Sequence, residues 1–112
     1  MIPRPDIIAV NEHASIEEAI DLVIGKGFSR LPVFQDNIDD IVGIVYSKEL
    51  MRALRDGDKS QTVNQIMRHP IFVPESKKIS QLLREMQAEK SHIAIVIDEY
   101  GGTAGLVTLE DL

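Results

Sequence analysis

The chain of 112 residues has no cysteine. That removes disulfides, thiolate nucleophiles and zinc sites built on cysteine, and it fits a reducing compartment. Positive charge is also scarce: 12 Lys and Arg stand against 18 Asp and Glu, a formal net charge of −6. Affinity for nucleic acid comes mainly from Lys and Arg neutralising phosphates, so nucleic acid is not an expected partner. No apolar run approaches the ~20 residues that cross a bilayer, and Met1 to Val10 lacks the charged start and apolar stretch of a secretory signal. A membrane anchor, if there is one, is expected outside this segment. The end, Thr108-Leu109-Glu110-Asp111-Leu112, reads as the first turn of a helix with nothing after it, so a longer parent is expected. Catalytic signatures are lacking too. His13, His69 and His92 are scattered without the i, i+4 spacing of a helical zinc site, and no serine–histidine pair appears. An enzyme is not expected.

What is present is an ordinary globular composition, 44% hydrophobic and 27% charged, in a chain long enough for one core. It is organised by a repeat. Ile16, Ala19, Ile20 and Val23 form an apolar stripe at helical spacing, and Ile79, Leu82, Leu83 and Met86 repeat it 63 positions later. Ser15 followed by Glu18 is a capping-box signature at the start of the first helix. A β-branched run follows each helix, Leu31 to Phe34 and Ile93 to Ile97, and reads as a buried strand. Acidic turns, Gln35 to Asp40 and Asp98 to Gly102, lead to second strands containing Gly43 and Gly105, and each of these enters a helix at Ser47 or Leu109. Short extended runs, Ile7 to Val10 and Ile71 to Val73, precede the first helices.

The unit is therefore strand, helix, strand, strand, helix, present twice. The polar stretch Arg55 to Thr62, with Asp56-Gly57-Asp58, marks the connection. The boundaries expected are 1–56 for the first motif, 57–66 for the connector and 67–112 for the second motif. One unit alone leaves its sheet half covered, so an α+β fold is expected. Its two small β-sheets, with flanking helices, pack together about a pseudo-twofold axis and leave related clefts between them. Such clefts are the natural place for a ligand.

The turn Gly105-Leu106-Val107-Thr108-Leu109-Glu110-Asp111 carries the most chemistry. Gly105 permits close backbone approach, Thr108 is placed to cap a helix, and the helix N-terminus offers amides with partial positive charge. Read alone, Thr108 and Asp111 form either a cap or a pocket for a ribose and a phosphate. Asp39, Asp40, Asp98 and Glu99 read as solvated turn residues rather than a metal site.

The repeat, with Ser29-Arg30-Leu31-Pro32-Val33 in one half and the Gly105 to Asp111 turn in the other, resembles the CBS domain pair, or Bateman module. More narrowly, Met1 to Arg4, Val73-Pro74-Glu75, His92 to Val96 and Asp98 to Gly102 resemble the CorC/HlyC family of magnesium and cobalt efflux and haemolysin-like proteins. The resemblance spans essentially the whole chain. It implies a regulatory module binding an adenosine nucleotide, ATP or AMP with or without Mg2+, in a cleft between the motifs. Thr108 and Asp111 would hold phosphate and ribose, and Phe28 and Arg30 the base and phosphates. Ile2, Ser29, Pro32 and Leu106 would complete the site. It further implies a homodimer, a cytoplasmic setting, and attachment to a membrane domain or a C-terminal transporter-associated domain.

The first repeat departs from this pattern, with Tyr46 and Glu49 where the second has Thr108 and Asp111. A ring and a longer acid would fill the corresponding pocket, so one nucleotide per chain is expected. The alternative reading is a structural dimerisation module with an empty cleft.

Overall fold

The computed structural model describes residues 1–57 and 60–109. Among the described residues the expected α+β fold is found, with two small sheets and three α-helices. In chain order these are β1 (Ile2–Pro3), β2 (Val10–Asn11), α1 (Ile16–Lys26), β3 (Arg30–Phe34), β4 (Ile41–Tyr46), α2 (Ser47–Asp56), β5 (Ile71–Pro74), α3 (Ile79–Glu89), β6 (Ile93–Ile97) and β7 (Thr103–Thr108). No helix among the described residues is long and apolar enough to cross a membrane.

Helix α1 begins where the sequence signals it, the Ser15 hydroxyl accepting a hydrogen bond from the Glu18 amide at 3.1 Å. It ends at Gly27 in the left-handed conformation, φ 73°. Its stripe of Ile16, Ala19, Ile20 and Val23 is buried against Leu31 and Val33 of β3, Val45 of β4, and Leu50 and Ala53 of α2. In the second half Leu82 and Met86 of α3 pack on Val73, Ala94, Val96 and Val107. Each fully buried Leu, Ile, Val or Met contributes about 1.5–3 kcal/mol.

A third cluster joins the sheets face to face through Ile41, Ile44, Ile93, Ile95 and Leu106. Strand alternation makes this possible, since Ile44 and Leu106 point to the partner sheet while Val45 and Val107 point to the helices.

One sheet has the order β2-β3-β4 and the other β1-β7-β6-β5. The β1 strand, from the first half, is thus the edge strand of the second half's sheet, antiparallel to β7 with Ile2 opposite Leu106 and Pro3 opposite Gly105. The exchange is reciprocal. Arg68, which leads into the second half, bridges Ile44 of β4 through paired backbone hydrogen bonds of 2.8 and 2.9 Å. Each motif's leader therefore completes the other's sheet.

Two sequence expectations need correction. The run Ile7 to Val10 is a strand at Val10–Asn11 alone, because a 3-10 turn at Arg4–Asp6 carries the chain from one sheet to the other and Ile7 and Ile8 span the gap. Asp39, though partly solvated, is more than a turn residue. Its carboxylate accepts the Thr103 amide at 2.9 Å and pairs with Arg4 at 2.9 Å, tying the β3–β4 turn to β7 and to the leader.

Candidate functional site

Strands β3 and β6 start on either side of the inter-sheet core, so the residues just before them face the ends of β7 and β4. The consequence is two clefts of unequal character.

The first cleft is lined by Phe28, Ser29, Arg30 and Pro32 from the first half and by Ile93, Leu106 and Thr108 from the second, with Ile2 of the leader. Seven of the eight residues singled out in the sequence are thereby brought to one place. The eighth, Asp111, lies outside the described residues, as does the helix expected after Thr108. Thr108 is the last residue of β7, the position that Tyr46 occupies at the end of β4. Tyr46 is the N-cap residue of α2. Asp6, Ile7 and Ile8 also line this cleft. Sequence reading missed their role, since Ile7 and Ile8 carry the same apolar signal as a strand.

The chemistry of this cleft is mixed. Phe28 is half-buried and offers an aromatic face, Arg30 is half-buried at the first position of β3, and Pro32 and Leu106 are buried. Ser29 and Thr108 bring hydroxyls. A flat apolar wall beside a guanidinium and hydroxyls suits a ligand with a planar ring at one end and anionic oxygens at the other.

Gly105 plays a different part from the one its position in the turn indicated. A Cβ there would lie 2.5 Å from the Ile2 carbonyl oxygen and 3.2 Å from the Met1 side chain. The close approach is made by the chain's own leader, which forms one wall of the cleft.

The second cleft has Tyr46 and Glu49 where the first has Thr108 and the position of Asp111. Arg68 reaches into it. Its Nε lies 2.8 Å from the Glu49 carboxylate, and its guanidinium carbon sits 5.1 Å from the centre of the Tyr46 ring. The cleft nonetheless keeps an open volume of about 390 Å³, against about 90 Å³ for the first, so the expectation that a ring and a longer acid fill it is not met. Arg68 was not singled out in the sequence, where nothing local distinguishes it from a surface arginine. No group of three or more His, Asp and Glu side chains that could hold a metal ion gathers among the described residues.

The CBS domain family matches this chain twice, over residues 1–56 and 63–112. Among curated proteins, the UPF0053 protein Rv2366c of Mycobacterium tuberculosis is 43% identical over 115 residues, covering all of this chain and 26% of its own length. The magnesium and cobalt efflux protein CorC of Escherichia coli K12 is 38% identical over 112 residues, again all of this chain and 38% of CorC. The chain thus spans between about a quarter and two-fifths of these relatives. Among solved structures, the CBS domain of a bacterial CNNM/CorC family Mg2+ transporter in complex with ATP superposes with a TM-score of 0.94 at 44% identity, over 99% of this chain and 79% of that one. CBSX2 in complex with AMP superposes with a TM-score of 0.82 at 25% identity, over 99% of this chain and 87% of that one. The two motifs, the exchanged leaders and these likenesses agree: the chain belongs to the CBS domain family, as a tandem CBS pair with relatives among the CorC magnesium and cobalt efflux proteins and the UPF0053 proteins.

Proposed function

We propose that this CBS pair is a regulatory module that binds one adenine nucleotide in the first cleft and passes its occupancy to the rest of a CorC-like magnesium or cobalt transport protein. The observation that carries the reading is the convergence of Phe28, Arg30, Leu106, Thr108 and Ile2 from three separate segments on one cleft. The ATP and AMP complexes of structural relatives support the ligand class. Phe28 would stack on the base, Arg30 would fork onto phosphate oxygens, and Asp111 would accept the ribose hydroxyls. Mg2+ would accompany ATP on its phosphates. The module is non-catalytic and works as a homodimer on the cytoplasmic side of its parent.

A ligand in this cleft touches both motifs and the leader at once. It can shift the leader only if it binds two arrangements with different affinity. Titration of the chain with ATP, AMP and adenosine by calorimetry tests the reading. One site per chain is expected, with Arg30→Ala weakening ATP far more than adenosine. Failure of all three to bind at millimolar concentration would overturn it in favour of a dimerisation module with an empty cleft.

A further inference from the structure

The first cleft is smaller than the ligand its walls suit. Its open volume is about 90 Å³, whereas a pocket for a ligand of nucleotide size holds roughly 300–1,000 Å³. One wall has to move. Pro32, Ile93 and Leu106 are buried residues of β3, β6 and β7, the central strands of the two sheets, and moving them would open the core. The remaining wall, Asp6, Ile7 and Ile8, belongs to a segment anchored at its two ends, where β1 pairs with β7 at Ile2 and Pro3 and β2 pairs with β3 at Val10 and Asn11. Between these anchors the chain makes a 3-10 turn, with the Ile7 amide donating to the Arg4 carbonyl at 3.2 Å, and Arg4 pairs with Asp39. With side chains 45% and 40% exposed, that ion pair is a weak tether.

Behind the segment there is room. Pro5 and Ala9 line an open groove of about 460 Å³ together with Phe34 and Ile38, and Ile7 borders this groove as well as the cleft. Ala9 helps to keep it open. Val10 stands opposite Val33 as Val73 stands opposite Val96, which makes Ala9 the counterpart of Phe72, so the first half has a methyl group where the second has a ring.

We propose that residues 4–8 are a movable partition: Ile7 swings from the cleft into the rear groove, and the cleft widens to admit the nucleotide. The proposal rests on the function proposed above and adds the step by which the site opens. The occupant of the groove is the chain's own Ile7, an apolar side chain moving between two apolar surroundings, so the change costs little burial. A ligand that fits only the widened cleft binds one of two arrangements, and its occupancy then sets the position of the leader.

The test joins AMP calorimetry to methyl relaxation dispersion of the isoleucine-labelled chain, with the Ile7 signal assigned through Ile7→Val. Ala9→Phe fills the rear groove with the ring that the second half already carries, at a position that does not line the cleft. Ile38→Phe fills it from the opposite wall and serves if circular dichroism shows that Ala9→Phe does not fold. In the free wild-type chain the Ile7 methyl is expected to exchange between two positions on the μs–ms scale, and saturating AMP should leave one of them. Filling the groove should quench the exchange and weaken AMP at least about tenfold, because the competent arrangement becomes rarer. AMP bound as tightly by the filled variants as by the wild type overturns the partition and leaves the nucleotide reading standing. If AMP does not bind the wild type, but Ile7 exchanges and the filled groove stops it, the nucleotide reading fails and the partition stands. Neither binding nor exchange in the wild type overturns both.

Discussion

The Ile2 carbonyl oxygen sits 2.5 Å from the place where a Cβ on Gly105 would be. Because a backbone atom is the obstacle, a side chain at 105 must push β1 off β7. At the equivalent Gly43 the obstacle is the Met67 side chain, whose Cβ lies 2.9 Å away and whose remaining atoms can rotate. Gly105→Ala is therefore expected to lower the melting temperature more than Gly43→Ala, and to weaken nucleotide binding because Ile2 walls the first cleft. Scanning calorimetry of both variants checks this. A larger loss for Gly43→Ala would mean that β1 is held weakly and moves aside freely.

Asp39 accepts the Thr103 amide with one carboxylate oxygen and pairs with Arg4 through the other. Removing the acceptor leaves a part-buried amide without its partner, which costs about 1–3 kcal/mol. The half-exposed ion pair is worth only about 0–1 kcal/mol. Asp39→Ala should therefore destabilise clearly in urea titration, while Asp39→Asn, which keeps an acceptor oxygen, should cost under about 1 kcal/mol. Equal losses would show that the charge on Arg4, not the amide bond, holds the turn.

The contrast between Ser15 and Asp39 shows which features can be read from sequence. Ser15 caps a helix through a partner three residues away, and the stripe of Ile16, Ala19, Ile20 and Val23 is a periodic signal within one element. Repeating that pattern at Ile79 fixed the tandem fold and the place of Phe28, Arg30 and Thr108 around a cleft. Asp39 finds its partner 64 residues away, and Arg68 meets Tyr46 and Glu49 from another motif. Nothing in their neighbours distinguishes them from solvated charges. Strand β1 has two residues, too short for any alternation, and pairs across the whole chain. The exchanged leaders follow from tertiary packing alone.

The two first helices end differently. Gly27 closes α1 at φ 73°, whereas Lys90 closes α3 at φ 56°. It is the sole non-glycine residue with positive φ among the described residues. A side chain in the left-handed region costs about 1–2 kcal/mol, part of which glycine returns through its greater freedom when unfolded. Lys90→Gly is expected to stabilise the chain by about 0.5–1 kcal/mol without touching either cleft. Chemical denaturation checks this, and a destabilised variant would mean that the lysine makes contacts that outweigh its backbone strain.

The asymmetry of the clefts gives the sharpest expectation for binding. In the first cleft Thr108 stands beside Phe28 and Arg30, and Asp111 follows it by three residues in the sequence. In the second cleft the same positions hold Tyr46 and Glu49, and Arg68 binds both. Asp111→Ala should weaken AMP by roughly 1.5–3 kcal/mol, the scale of hydrogen bonds to a charged group, and leave the fold intact. Glu49→Ala releases Arg68 but removes nothing that the first cleft uses, so AMP affinity should stay where it was. Stoichiometry should be one AMP per chain in the wild type and in Glu49→Ala. The melting temperature should climb as AMP rises above its Kd, because the ligand binds only the folded chain. Two AMP molecules per wild-type chain, or an AMP affinity sensitive to Glu49 and indifferent to Asp111, would place the nucleotide in the opposite cleft.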